Sequence, residues 1–378
     1  MGYVRRNSSN PDAGRSRAVF AAMSALVALT LSACGSDNVP GATTAAGAAD
    51  PAACAGKNSL TAEGSTAQQN AIAEFNRVWR QVCPNKNLSY NPTGSGAGRD
   101  QFVSNQVDIA GSDSPLSGAQ VAAAAQRCGG NPAWNLPLVF GPVALVYNLE
   151  GVDDLVLTPE LLARIFSGRI TTWNDPAIAA VNPGTELPDI KITPIYRSDS
   201  SGTTDNFQKY LSAAAPQAWT RGDGSEFQGG AGEGAPKSAG VVQAVQSTAG
   251  AIGYVEKGFA DQGGVPYARI DSGAGPVALT DESVGNAIDQ AAFAGEGNDL
   301  VLDLNSLYAT KEHGTYPLVL ATYEIVCSAG YDPDTAAAVK SFLTVAANQG
   351  QANLSAAGYV PLPDRFKERL LKSIDAIA

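Results

Sequence analysis

Residues 190–215 read IKITPIYRSDSSGTTDNFQKYLSAAA. Residues 190–196 are rich in β-branched and aromatic side chains and read as a strand. Arg197 closes that strand. Ser200-Ser201-Gly202-Thr203 follows as a turn of small residues, and 204–215 reads as a helix. Strand, small-residue turn and helix in that order make a βα unit, and the same order recurs along the chain. Residues 60–61 lead into Gly64-Ser65-Thr66. Ala71, Ile72, Phe75, Val78, Trp79 and Val82 then recur at helix spacing. Residues 87–93 alternate like a short strand, Gly94-Ser95-Gly96-Ala97-Gly98 breaks it, and 99–104 begins a helix. Residues 107–111 are strand-like again, and the apolar run 138–148 suits a buried strand crossing between lobes. Residues 251–256 and 317–327 read as strands and 333–348 as a helix, whereas the Gly-rich 221–240 reads as loop. This alternation predicts an α/β fold of mainly parallel sheets flanked by helices. No internal repeat is visible.

The N-terminus points to export. Arg5, Arg6, Arg15 and Arg17 precede an uncharged run over 18–33, the order of a secretory signal peptide. That run of 16 residues is short for a transmembrane helix. It ends in Leu31-Ser32-Ala33-Cys34-Gly35, which resembles the lipobox of bacterial lipoproteins, with Cys34 the lipidated residue. Residues 35–53 are small and polar, have too little apolar surface to fold, and read as a tether. The folded body is expected from Cys54 onward.

The chain carries a net charge of −11; residues 1–33 contribute +3, so the remainder carries −14. Such a body argues against nucleic acid as a partner, and any anion site must rest on local geometry. Four cysteines remain beside Cys34, namely Cys54, Cys83, Cys128 and Cys327, an even number that suggests two disulfides outside the cytoplasm. Three pairings are open. Cys54 precedes the first strand and Cys83 ends the first helix, both on one edge of a βα unit, which favours Cys54–Cys83 and leaves Cys128–Cys327. The cysteine spacings match no zinc site, and His313 is the single histidine.

Gly64-Ser65-Thr66, Gly94-Ser95-Gly96-Ala97-Gly98 and Ser200-Ser201-Gly202-Thr203 share one design. Each puts small or hydroxyl-bearing residues where a strand hands over to a helix. A helix's first turn has backbone N–H groups without internal partners at the positive end of its dipole. Such termini bind phosphate-like anions without lysine. In parallel sheets the turns at the carboxyl edge converge on one crevice. A Ser or Thr there is often a plain N-cap, and no P-loop or G-x-S-x-G elbow occurs. Asp113 follows the 107–111 strand. A carboxylate only accepts hydrogen bonds; a protonated phosphate can donate to it and sulfate cannot. The alternative for Asp113 is a cap on the next helix. Arg197 presents a guanidinium fork suited to an oxyanion, with Asp199 close enough in sequence to orient it.

These blocks, together with Ser112-Asp113-Ser114-Pro115-Leu116-Ser117, Thr172-Trp173-Asn174-Asp175 and Ala251-Ile252-Gly253-Tyr254-Val255-Glu256, resemble the phosphate-binding protein (PstS) family of the high-affinity phosphate ABC transporter. The likeness runs from about residue 60 to the end of the chain. It implies a two-lobed, type II periplasmic-binding-protein-like fold hinged by crossover strands, with lobe I at 54–139 plus 317–378 and lobe II at 140–316. It implies capture of inorganic phosphate and delivery to the permease subunits of an importer, on the extracytoplasmic face of the membrane, with no cofactor and no catalysis. Carried over residue by residue, Thr66 and the amide of Ala67, Ser95, Asp113, Arg197, Ser201, Gly202 and Thr203 would hold the anion, with Ser65 behind them and Asp199 orienting Arg197. One departure is Ala67, where familiar members carry an aromatic residue. Phosphonate or arsenate remains an alternative ligand. A secreted phosphatase is a further alternative, in which Ser201 would need His313 or a metal to activate it.

Overall fold

The structure is a computed structural model and describes residues 54–378. The leader at 1–33, the lipidation position Cys34 and the tether to residue 53 lie outside the described residues. Along the chain run β1 (Ser59–Gly64), α1 (Gln69–Val82), β2 (Asn87–Pro92), α2 (Ser95–Val103), β3 (Ile109–Ser112), α3 (Ala119–Arg127) and the long β4 (Ala133–Tyr147). There follow β5 (Val156–Leu157), α4 (Pro159–Phe166), α5 (Pro176–Val181), β6 (Thr193–Arg197), α6 (Gly202–Ala214), β7 (Glu233–Ala235), α7 (Lys237–Ser247), β8 (Ala251–Glu256) and α8 (Lys257–Gly263). The rest comprises β9 (Arg269–Asp271), β10 (Pro276–Val277), α9 (Asp281–Gln290), β11 (Ala292–Phe293), β12 (Leu302–Asp303), α10 (Asn305–Tyr308), β13 (Val319–Cys327), α11 (Pro333–Asn348) and α12 (Asp364–Asp375).

Eight strands form one sheet in the order β2-β1-β3-β13-β4-β8-β6-β7. At one end β1 pairs in parallel with β2 and β3, and at the other β6 pairs in parallel with β7 and β8. Parallel neighbours need crossover connections, which the intervening helices supply. Between the two parallel sets, β13 runs antiparallel to β3 and β4, and β4 antiparallel to β8. This is the predicted α/β, two-lobed type II architecture, with β4 and β13 as the strands shared across its middle. β4 is buried from Asn135 to Tyr147, because both faces are covered, and this is why its apolar run is nearly continuous. It begins before the predicted residue 138, since Ala133–Leu136 pairs with the end of β13. The predicted apolar stripe of α1 is buried except for the half-buried Val82, and Trp79 meets Phe342 of α11 edge to face with ring centres 5.3 Å apart.

Three sequence expectations change. α2 starts at Ser95 and not at Arg99, so Gly96 and Gly98 lie inside its first turns. A side chain at Gly96 would run into Ser200, and one at Gly98 would come within 2.6 Å of the Glu63 carbonyl. These glycines permit close packing and do not break the helix. β3 begins at Ile109, leaving Asp108 outside to accept from the Thr61 amide at 2.7 Å and from Lys57 at 2.6 Å. The Gly-rich 221–240 holds β7 and the start of α7, because β7 is made by pairing with β6 and not by any pattern of its own. Cys54 pairs with Cys83 and Cys128 with Cys327, as the sequence favoured.

Candidate functional site

The carboxyl ends of β1, β2 and β3 are tied into one unit. The Ser65 amide donates to the Gly111 carbonyl at 2.8 Å, and the amides of Thr93 and Gly94 donate to the Gly64 carbonyl at 3.0 and 2.8 Å. Gly64 has φ +144°, and a Cβ there would strike the Gly111 carbonyl, so glycine is required for the strands to end this close together. On this platform stand Ser65, Thr66, Ser95 and Asp113, all at most 2% exposed. From the other side come Arg197 at the end of β6, Ser201, Gly202 and Thr203 at the start of α6, and Glu256 at the end of β8. Each of these side chains is also at most 2% exposed.

Asp113 is the centre of the first group. Its Oδ1 accepts from Ser65 Oγ at 2.6 Å and from Thr322 Oγ1 at 2.7 Å. Its Oδ2 accepts from Ser95 Oγ at 3.1 Å. The side chain does not cap a helix, so the plain structural alternative for it fails. Two donors fill the in-plane lone pairs of Oδ1, whereas Oδ2 keeps one. A Cβ on Gly202 would lie 2.6 Å from that Oδ2 and 2.5 Å from Ser95 Oγ. Oδ2, which accepts a single hydrogen bond, therefore sits beside the N-terminus of α6. Burial pushes the Asp113 carboxyl up from its ordinary 3.8 to about 6. Hydrogen bonds from Ser65, Thr322 and Ser95 restrain the rise, and the charge of Glu256 adds to it.

Arg197 is clasped by Asp199, with Nε to Oδ1 at 2.7 Å and Nη2 to Oδ2. Asp199 also accepts from the Lys237 amide at 2.8 Å. Burial alone would raise the Asp199 carboxyl, but Arg197 holds it below the usual carboxylate range. Arg197 Nη1 lies 3.5 Å from Thr203 Oγ1. Ser201 is the N-cap of α6, its hydroxyl oxygen accepting from the Thr204 amide at 3.2 Å, so here the cap reading holds. Its hydroxyl proton is not used in that bond. Ala67 is buried; its amide donates to Ser65 Oγ at 3.0 Å and its carbonyl accepts from Tyr359 at 2.6 Å. Thr66 Oγ1 pairs with Ser238 Oγ at 2.8 Å.

The two groups touch directly. The Gly96 amide donates to the Ser200 carbonyl at 3.1 Å. Asn206 donates to the Asp113 carbonyl at 2.7 Å, and Arg99 bridges Ser112 at 2.8 Å and Ser225 at 3.1 Å.

A model of the PBP superfamily domain matches residues 39–349. Phosphate-binding protein PstS 3 of Mycobacterium tuberculosis is 50% identical over 355 residues, covering 93% of this chain and 96% of the relative. Phosphate-binding protein PstS 2 of the same organism is 47% identical over 364 residues, 95% of this chain and 98% of the relative. The chain belongs to the PstS family. A phosphate-binding protein of Stenotrophomonas maltophilia shares its fold with a TM-score of 0.63 at 18% identity, over 84% of this chain and 94% of the other.

Every site residue that the PstS resemblance pointed to lies in this buried cluster. Sequence reading missed Thr322, Ser238, Asn206 and Arg99, which no motif marks. It quoted Glu256 only as the last residue of a family block. A glutamate ending the otherwise uncharged 251–256 strand was the one legible signal.

Proposed function

We propose that this protein captures inorganic phosphate between its two lobes and hands it to an ABC importer. The observation that carries the reading is Asp113, whose Oδ2 accepts a single hydrogen bond and lies beside the start of α6. Above about pH 6 this carboxylate accepts the proton of a phosphate oxygen, while fully deprotonated sulfate meets only repulsion there. Arg197, pre-aligned by Asp199, brings positive charge to the site of a body whose net charge beyond residue 33 is −14. At α6, the amides of Thr204 and Asp205 are engaged by Ser201, which leaves those of Gly202 and Thr203 for the anion. Ser201, whose hydroxyl proton is unused, and the Ser95 amide add donors, while Thr66, Ala67 and Ser95 line the site with their other protons committed to Ser238, Ser65 and Asp113. Ser65 acts from behind by holding Asp113.

Residues 54–139 with 317–378 form one lobe and 140–316 the other. All the proposed contact side chains are buried, so phosphate enters only when the lobes part about the β4 and β13 crossovers. A signal peptide at 1–33 and a lipid on Cys34 place the protein on the outer face of the membrane, where it meets the permease. Among the described residues no helix is long and apolar enough to cross a membrane. A phosphatase reading finds little support, because the Ser201 oxygen caps α6 and His313 is exposed in a cavity of about 500 Å³ beside Pro276 and Thr280.

Calorimetric titration of the purified protein, stripped of ligand, tests this. Tight one-to-one binding of phosphate without a sulfate response is expected; absence of phosphate binding refutes it.

A further inference from the structure

We infer that Glu256 is a positioning residue that orders the hydroxyls of Thr66, Ser238 and Thr203 into one directed chain across the cleft. The inference rests on the phosphate reading and extends it to a residue that touches no ligand. Glu256 is fully buried at the end of β8. Its Oε1 accepts from Thr203 Oγ1 at 2.6 Å and its Oε2 from Ser238 Oγ at 2.8 Å. Ser238 Oγ lies 2.8 Å from Thr66 Oγ1.

The direction of this chain follows from the donor inventory. A carboxylate has no proton to give, so Thr203 and Ser238 must both donate to it. Ser238 has only one hydroxyl proton. Having given it to Glu256, it can only accept from Thr66. All three protons thus run toward Glu256, from the β1–α1 turn through the start of α7 and from the start of α6. Fixing those protons fixes the rotamers of Thr66 and Thr203, the two threonines proposed to face phosphate, and it ties the β1 turn to β8. Thr203 Oγ1, with its proton committed, is left to accept from Arg197 Nη1 at 3.5 Å, which steadies the guanidinium as well.

The charged and titratable groups around Glu256 are Arg197 of β6, Asp113 beyond β3 and Tyr359 of the C-terminal segment. A buried carboxylate costs several kcal/mol of desolvation, and apolar packing serves stability as well or better. Both its oxygens are instead met by hydroxyls from the two helix starts that frame the site. That placement is explained by ligand geometry and not by core stability.

Glu256→Gln keeps one acceptor and turns the other into a donor. It can no longer take both hydroxyl protons, and the chain loses its fixed direction. Phosphate affinity should fall about tenfold. The decisive readout is a double-mutant cycle with Ser238→Ala, measured by phosphate titration and by melting temperature. If Glu256 acts through Ser238 on Thr66, then Glu256→Gln costs less than threefold in the Ser238→Ala background. If the two affinity losses simply multiply, or if Glu256→Gln binds like wild type, the inference is overturned. Should Glu256→Gln fail to fold, Ser238→Ala and Thr203→Val take its place. They meet Glu256 from different helices, so non-multiplying losses support its role and multiplying losses overturn it. Failure of the wild-type protein to bind phosphate would instead sink the phosphate reading itself.

Discussion

Asp113→Asn isolates the proposed discrimination between anions. Asp113 Oδ1 holds two hydroxyl donors, at 2.6 and 2.7 Å, and Oδ2 holds one at 3.1 Å. The substituted carboxamide therefore puts its oxygen at the Oδ1 position and its NH₂ at the Oδ2 position, beside Gly202. The atom facing the ligand changes from acceptor to donor. A phosphate P–OH loses a hydrogen bond to a charged group, worth about 1.5–3 kcal/mol, or roughly 10- to 100-fold in Kd. An unprotonated sulfate oxygen gains a donor at the same place. The phosphate-to-sulfate ratio should thus fall by at least two orders of magnitude, roughly the product of the two effects. Titration of both anions at pH 7.5 reads this ratio. The sign is also open to a pH test. Burial holds the Asp113 carboxyl up near 6, so below that pH it carries a proton and no longer accepts. Wild-type selectivity should therefore decay between about pH 7 and 5, while that of the variant stays flat. An unchanged ratio in Asp113→Asn, with binding otherwise intact, would refute the proton-acceptor argument.

Arg197→Lys replaces a fork that grips Asp199 through two nitrogens. It should weaken phosphate binding roughly 10-fold or more in the same titration without altering the sulfate ratio, because it reads charge and not protonation. Gly202→Ala places a methyl 2.5–2.6 Å from Ser95 Oγ and Asp113. It should weaken phosphate binding more than about 100-fold, with far-UV circular dichroism unchanged; binding within tenfold of wild type would contradict the close approach. Glu324, on β13 opposite Gly111, has both carboxyl oxygens buried with no hydrogen bond of good geometry, Gln68 being a weak neighbour. Burial pushes it from 4.5 up to about 8, opposed by Gln68 and aided by the charge of Asp113. The folded value exceeds the unfolded one, so its contribution to stability is whole below about pH 4.5 and is lost as pH rises to 8. Glu324→Gln should then match wild type near pH 4.5 and exceed it by roughly 1–3 kcal/mol at pH 8 in urea unfolding; equal stability at both values would rule this out.

The sequence by itself determined seven of the eight strands of the large sheet, four of the helices beside them, the three small-residue turns, and Asp113 and Arg197 as candidates. Those are local features: the periodicity of α1, the apolar run of β4, and the residue types a helix start or a strand end requires. The disulfide pairing was favoured from the sequence for the same reason, since Cys54 and Cys83 bracket one βα unit. What only the tertiary structure decided is who meets whom. Thr322 is 209 residues from the Asp113 it bonds, and Ser238 is 172 from Thr66. No local pattern encodes such partners, because hydrogen bonds between distant strand ends depend on sheet order and register. The same holds for Gly96 and Gly98, which read as part of the turn that ends a strand until Ser200 and the Glu63 carbonyl lie against them. It holds as well for β7, three residues without a pattern that become a strand through β6. Which oxygen of Asp113 stays open is fixed by three hydroxyls arriving from the end of β1, the start of α2 and the middle of β13, and only folding brings those together.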